Sequence, residues 1–512
     1  MHTPHVDYNL ARTILMRAEL DPANRAIVFE GIERNYAELT QRALCLASEL
    51  RAGGICVGDR VGFVGLNHPT LLETMLAAQT LGAVFVPLNF RLTAEELRFM
   101  INDAGVHTLV VDDPLRQVIE AVRGDLCCRR YLASESSGDG WEYLETLIEA
   151  APALHSHVVM SQHDVALIMY TSGTTGKPKG AMLTHGNLIW NNIQATMAFA
   201  GSPEDITLVA APLFHIGGLN VNTIATLQVG GCAVLHRNFD ANQALADIAK
   251  YRVTSMFGAP AMFLFMAQQP EFAETDLSSL KMLIVGAAPV PKSLLDIYTA
   301  RDVVLNQGYG LTETSPLVSF LMSQYIGSKL GSAGKPGLFG EILIAGPDNK
   351  PLADGEVGEI LFRGPNVMKG YWNRPEATAE AIDEEGWFHT GDAGYIDADG
   401  FLFISDRIKD MVISGGENVY PAEVESVLYN HPAIAEVAVI GVADEKWGEA
   451  VTAVVALNAD ASLSLEELRA FADGKLARYK LPLHLHLVEA LPRNPAGKVL
   501  KFELRERYTA AS

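Results

Sequence analysis

The sequence predicts a mixed α/β and β fold with several subdomains. A large N-terminal domain of two α/β sheets carries a small β-barrel-like region and is followed by a small α+β C-terminal domain. Three observations support this. Short apolar runs alternate with helix-length amphipathic stretches up to about residue 326, which is the rhythm of βαβ units. From about Gly327 to residue 405 the strands shorten and are punctuated by Gly, Pro and Asp, as in an all-β region. Residues 410–512, joined through 406–409, return to mixed helix and strand patterns.

In chain order, RVGFVGLN (60–67), GAVFVPLN (82–89) and HTLVVDD (107–113) read as strands, with HPTLLETMLAAQTL and TAEELRFMINDAG as the helices between them. The same style returns in DITLVAAP, GCAVLHR, VTSMFGAP, KMLIVGAAP and VVLNQGYG, a second α/β repeat. GEILIAGPDNK, GEVGEILFRGP and GYIDADGFLFISD supply the β-rich region with its D-G and G-P turns. The closing part reads helix in PAEVESVLYNHPAI, strand in EVAVIGVAD and VTAVVALN, and helix in SLEELRAFADGKLA. No repeat of solenoid period and no low-complexity segment interrupts this order.

The chain has 512 residues, 49% of them hydrophobic and 20% charged, enough for roughly three packing units at about 150 residues each. A formal net charge of −22 disfavours nucleic acid and anionic membranes, so a polyanionic ligand has to be met by local donors and lysines. The opening MHTPHVDYNLARTILMRAEL lacks signal-peptide character, and no apolar run reaches the ~18 residues of a membrane helix. Five cysteines without metal-ligand spacing fit a reduced chain, expected to be cytoplasmic and without an integral membrane part. No coiled-coil heptads support a homodimer, which stays open.

Residues 170–180, YTSGTTGKPKG, follow the apolar run VALIM. A Walker loop needs G-x-x-x-x-G-K-[ST], whereas here Pro178 follows Lys177 and no glycine lies five positions before Gly176. Glycines that allow close backbone approach, four hydroxyl residues (Thr171, Ser172, Thr174, Thr175) and two lysines (Lys177, Lys179) still suit phosphate.

This loop resembles the signature of the adenylate-forming superfamily of acyl-CoA synthetases, beetle luciferases and peptide-synthetase adenylation domains. Nine further motifs carry the resemblance along nearly the whole chain: RNYAEL, LGAVFVPLN, PLFHIGGL, GAAP, NQGYGLTE, GEILFRG, GWFHTGD, DRIKDMVISGGENVYPAEVE and PRNPAGKVLK. The pattern is most similar to bacterial fatty acyl-CoA synthetases. The resemblance implies that a carboxylic acid reacts with ATP to an acyl-adenylate and pyrophosphate, and that the acyl group then passes to coenzyme A. Two anions must meet in the first step, so catalysis rests on positioning and charge neutralisation. It places Thr171, Ser172, Gly173, Thr174, Thr175 and Lys179 around the triphosphate, and Thr171 and Glu313 as ligands of Mg2+. Gly286, Ala287, Ala288, Gln307, Gly308 and Tyr309 are the implied adenine site, with Thr312 near the α-phosphate, Asp392 on the ribose and Arg407 on the ribose or a phosphate.

By the same resemblance Lys498, with Glu313, is catalytic in adenylation, and Lys409 is the hinge about which a mobile C-terminal domain turns. Gly415 and Gly416 would line the coenzyme A path, and His215, Gly217, Gly218 and Pro316 the acyl pocket. Glycines at 217 and 218, where coumarate-type aryl-CoA ligases carry an aromatic residue, imply a deeper apolar cavity for a medium- to long-chain fatty acid. Asn220 and Asn222 lie close enough to meet a polar group. A separate acyl carrier protein stays open as the alternative acceptor, and an aryl-CoA ligase of the coumarate type as the alternative activity.

Overall fold

The computed structural model describes residues 6–509, except 139, 172–177, 289, 408–409, 415–416, 445 and 494–498, and the side chains of 407, 418 and 509. Contacts divide the chain into two units, residues 1–342 with 362–388, and residues 343–361 with 389–512.

The first unit is built on two sheets. The nine-stranded sheet runs in the order Lys335–Pro336, Leu317–Phe320, Leu305–Gly310, Met282–Val285, Ser255–Gly258, Ile206–Val209, Cys232–Leu235, Arg25–Phe29, Ile32–Asn35. Its central strands are parallel, and antiparallel strands close both edges. The eight-stranded sheet runs Gly370–Tyr371, Lys179–Thr184, Val165–Thr171, Val84–Leu88, Arg60–Val64, Val106–Val111, Arg130–Ala133, Glu142–Tyr143. These are the two α/β repeats the alternating pattern predicts.

The largest apolar cluster draws Ile27, Val209 and Leu235 from one sheet and Val61, Phe63, Phe85 and Leu167 from the other, with helices Tyr36–Ala52 and Pro69–Thr80 between them. Every residue of Pro69–Thr80 is buried, including Glu73. Its carboxylate is held by Arg42 and Arg34, the compensation a buried charge needs. Separate clusters cover the outer faces, so the layers run helix, sheet, helix, sheet, helix. Local signals set the helix starts: Asn35 with Glu38, and Thr93 with Glu96, form capping boxes at the sequence runs N-x-x-E and T-x-x-E.

The β-rich region is an open four-stranded sheet in the order Glu341–Ala345, Gly358–Arg363, Phe388–Ile396, Leu402–Arg407, rather than a closed barrel. Most of it groups with the C-terminal residues, whereas the sequence reading sets the boundary at 405/406. One physical link is the Ala422 N–H, at the start of helix Pro421–Leu428, which donates to Asp406 Oδ2 at 2.6 Å. A second sheet in this unit pairs Glu417–Val419, Val412–Ser414, Gly448–Leu457 and Ile434–Asp444, with His484–Val488 parallel to Gly448–Leu457. No helix among the described residues is long and apolar enough to cross a membrane.

Candidate active site

Strand Val165–Thr171 pairs antiparallel with Lys179–Thr184, Thr171 opposite Lys179. Gly370–Tyr371 pairs on the far side, Tyr371 opposite Ala181. Side chains alternate along a strand, so this register puts Thr171, Lys179, Ala181 and Tyr371 on one face. Glu313, from the single turn Thr312–Thr314, meets that face and is only 8% exposed. Its Oε1 accepts hydrogen bonds from Thr171 Oγ1 at 3.3 Å and from the Tyr371 hydroxyl at 2.9 Å. Lys179 Nζ stands 5.1 Å from the centroid of the Tyr371 ring. The Met368 N–H donates to the Glu313 carbonyl at 2.8 Å and ties the two segments together.

No Lys or Arg nitrogen among the described residues lies within ion-pair distance of Glu313. A buried carboxylate satisfied by two hydroxyls alone still lacks a counter-charge, which is the chemistry a hard cation supplies. Oxygen donors from Glu313 and Thr171 fit Mg2+. No group of three or more His, Cys, Asp or Glu suited to a metal occurs among the described residues, so phosphate oxygens and water would have to complete the shell. Ser172, Gly173, Thr174 and Thr175 lie outside the described residues.

The two segments named for adenine are neighbours. Strands Met282–Val285 and Leu305–Gly310 are parallel, with Val285 opposite Gln307. A Cβ on Gly286 would stand 2.8 Å from the Gly308 carbonyl oxygen, so glycine is required there for the strand ends to approach. Gly286 is buried, whereas Ala287 and Ala288 are exposed beyond it. Ala287 has φ +67°, a left-handed conformation that costs an alanine about 1 kcal/mol or more. Gln307 Nε2 is buried and has no partner among the described residues, an unspent donor at the strand end. Gln307, Gly308, Tyr309 and Thr312 are half-buried.

On the acyl side, His215 Nδ1 accepts the Gly217 N–H at 3.2 Å and caps helix Ile216–Asn220. Burial pushes its pKa below the ordinary value, so the imidazole stays neutral and carries its proton on Nε2. Asn67 braces the entry to this motif: Nδ2 donates to the Ala211 carbonyl at 3.0 Å and Oδ1 accepts the Leu213 N–H at 2.8 Å. Pro316 is buried, and its carbonyl accepts from Leu311 N–H at 3.1 Å and Thr314 Oγ1 at 2.6 Å.

Two expectations are corrected here. A Cβ on Gly217 would lie 2.6 Å from Phe257 Cε1, and one on Gly218 would lie 2.2 Å from the Pro212 carbonyl oxygen. The glycines therefore allow close packing and do not deepen a cavity. Asn222 is a buried brace that donates to Thr207 Oγ1 at 2.5 Å, whereas buried Asn220 donates to the Ser315 carbonyl at 2.5 Å and its Oδ1 has no partner among the described residues.

In the second unit, Asp392 is 4% exposed and sits opposite Arg407 across strands Phe388–Ile396 and Leu402–Arg407. The Arg407 side chain, Lys409, Gly415, Gly416 and Lys498 lie outside the described residues. Their flanks are defined. Arg493 bridges Val499 on either side of 494–498, Lys501 pairs with Glu425 at 2.8 Å, and Asp410 pairs with Arg505 at 2.9 Å.

The sequence reading passed over Tyr371, Phe257 and Asn67. GYWN carries an aromatic signal, but nothing local ties it to Glu313, 58 residues away.

Residues 16–372 match the AMP-binding enzyme family and residues 423–498 its C-terminal domain. The chain belongs to that family. A feruloyl-CoA synthase from an Amycolatopsis species is 43% identical over 96% of this chain and 97% of its own length. The long-chain-fatty-acid–CoA ligase FadD13 of Mycobacterium tuberculosis is 38% identical over 98% of this chain and 99% of its own. A crystal structure of ATP-bound MatB from Rhodopseudomonas palustris superposes with TM-score 0.91 at 34% identity, covering 99% of this chain and 100% of that one. The chain is an AMP-forming acid–thiol ligase that uses ATP, Mg2+ and coenzyme A.

Proposed function

We propose that the chain activates an apolar carboxylic acid as its acyl-adenylate, releasing pyrophosphate, and transfers the acyl group to free coenzyme A. The observation that carries this is the buried Glu313 carboxylate, set between two hydroxyls beside Lys179 at the end of the phosphate-loop hairpin. Thr171 and Glu313 would hold Mg2+, which neutralises phosphate charge when bound. Lys179 and residues 172–175 take the triphosphate, Gln307 Nε2 and the Gly286–Gly308 platform take the base, and Asp392 and Arg407 take the ribose. Neutral His215 offers Nε2–H to the acid's carboxylate without forming a fixed ion pair with it. Lys498 stabilises the charge that develops as the carboxylate attacks the α-phosphorus, and a turn at Lys409 then gives coenzyme A its path along Gly415 and Gly416.

For the acid itself, Phe257 is the supporting observation. The edge of its ring takes the space in front of Gly217, so an aromatic side chain stands beside the acyl motif. An aryl or arylalkyl acid suits an aromatic neighbour, with which its ring can pack edge to face or offset, and a relative 43% identical is a feruloyl-CoA synthase. A medium- to long-chain fatty acid is the second reading, supported by the 38% identity to FadD13. The test is pyrophosphate release and thioester formation over hydroxycinnamic, indolic and C6–C16 fatty acids, each with coenzyme A or with an acyl carrier protein. Thioester formed on the carrier alone, or no acid-dependent pyrophosphate, would refute the proposal.

A further inference from the structure

We propose that Tyr371 is a positioning residue that aims both the Glu313 carboxylate and the Lys179 ammonium at one metal-bound nucleotide, an inference resting on the roles given to those two residues above. The Tyr371 hydroxyl and Thr171 Oγ1 both donate to the same oxygen of Glu313, Oε1, at 2.9 and 3.3 Å. No hydrogen bond to Oε2 occurs among the described residues. The two carboxylate oxygens are therefore unlike: one is held by the protein, and the other keeps its lone pairs for a cation. On its other side the Tyr371 ring faces Lys179, whose Nζ is 5.1 Å from the ring centroid, within the range where the ring quadrupole attracts an ammonium. One side chain thus touches the group that would hold the metal and the group that would hold the phosphate.

Tyr371 is in turn rigidly mounted. It pairs with Ala181 across the sheet, and its N–H donates to Thr378 Oγ1 at 2.9 Å. The next residue donates from Trp372 Nε1 to the Asp103 carbonyl at 3.0 Å, and Arg374 reaches Asp103 Oδ1 at 2.8 Å. Tyr170, beside Thr171, donates to Asp103 Oδ2 at 2.8 Å. Asp103 on helix Ala94–Ala104 therefore anchors the strands that carry Thr171 and Tyr371 to one point, and the two donors to Glu313 keep their spacing.

The experiment compares ATP affinity by calorimetry, with Mg2+ and with EDTA, in the full-length wild type, Tyr371→Phe, Tyr371→Leu and Glu313→Gln, with thermal melting to confirm that each is folded. Tyr371→Phe keeps the ring and loses the hydroxyl that bonds the carboxylate. It is expected to reduce the tightening of ATP by Mg2+ about tenfold, the scale of a hydrogen bond to a charged group, and to leave affinity in EDTA unchanged. Tyr371→Leu is expected also to weaken ATP several-fold in EDTA, because Lys179 loses its ring. If Glu313→Gln loses the Mg2+ effect while Tyr371→Phe keeps it in full, the role of Tyr371 is overturned and that of Glu313 stands. If both keep it, the metal reading of Glu313 fails and takes this inference with it. Equal behaviour of the Phe and Leu variants in EDTA overturns the link to Lys179.

Discussion

Phe257→Ala tests the acyl wall most directly. Phe257 lies on a central strand of the nine-stranded sheet, yet it stays partly exposed and belongs to neither apolar cluster flanking that sheet. A Cβ at Gly217 would sit 2.6 Å from its ring edge, and one at Gly286 would sit 3.6 Å away, so the ring stands between the acyl motif and the adenine loop. Removing it vacates the volume of six ring carbons. An acid that extends about three methylenes into that space gains about 0.8 kcal/mol for each, or about 2.4 kcal/mol in all. Partial collapse of the wall would halve the gain. The expected rise in kcat/KM for the longer acid is therefore between about 8-fold and 60-fold, with shorter acids losing. Stability should fall by about 1–2 kcal/mol, less than for a fully buried phenylalanine. The assay is pyrophosphate release over a homologous series of straight-chain and ω-phenyl acids. If the variant's chain-length profile superimposes on that of the wild type, Phe257 does not bound the acyl site and the reasoning is wrong.

Lys498→Ala is expected to suppress pyrophosphate release while sparing thioester formation from supplied acyl-adenylate; equal loss in both half-reactions contradicts the division of labour. Gly218→Ala would press a methyl to 2.2 Å from a backbone oxygen that cannot swing aside. It should cost about 2–3 kcal/mol in urea unfolding, more than Gly217→Ala, whose obstacle is the ring of Phe257. His68 and His185 are held neutral with pKa lowered to about 4, in each case chiefly by burial. Between about 4 and 6.5 the unfolded chain binds more protons than the native one, so stability should rise with pH through that window and flatten above it. For fully buried His185 the effect is on the order of 3 kcal/mol, and replacing it with Gln should shallow the slope of the urea midpoint against pH.

Much of the architecture was legible because it is written in short-range periods. The alternation of apolar runs with amphipathic stretches marked both α/β repeats, and N-x-x-E and T-x-x-E marked helix starts that are capping boxes in the structure. Burial of Glu73 was not legible, since nothing in LLETML announces that Arg34 and Arg42 converge on it. The glycines of PLFHIGGL were read for the side chain they lack, and the space proved to be taken by Phe257 and Pro212 from elsewhere in the chain.

The suitability of the loop for phosphate follows from the order of residues alone, because hydroxyls, glycines and lysines in one run already state which ligand they suit, and the class of chemistry follows from the family resemblance that the ordered motifs carry. The exposure of Glu313, the hydroxyls that hold it and the place of Tyr371 do not. They arise where one hairpin meets a strand and a turn distant from it in sequence, and a side-chain hydrogen bond extends only about 3 Å however many residues separate its partners.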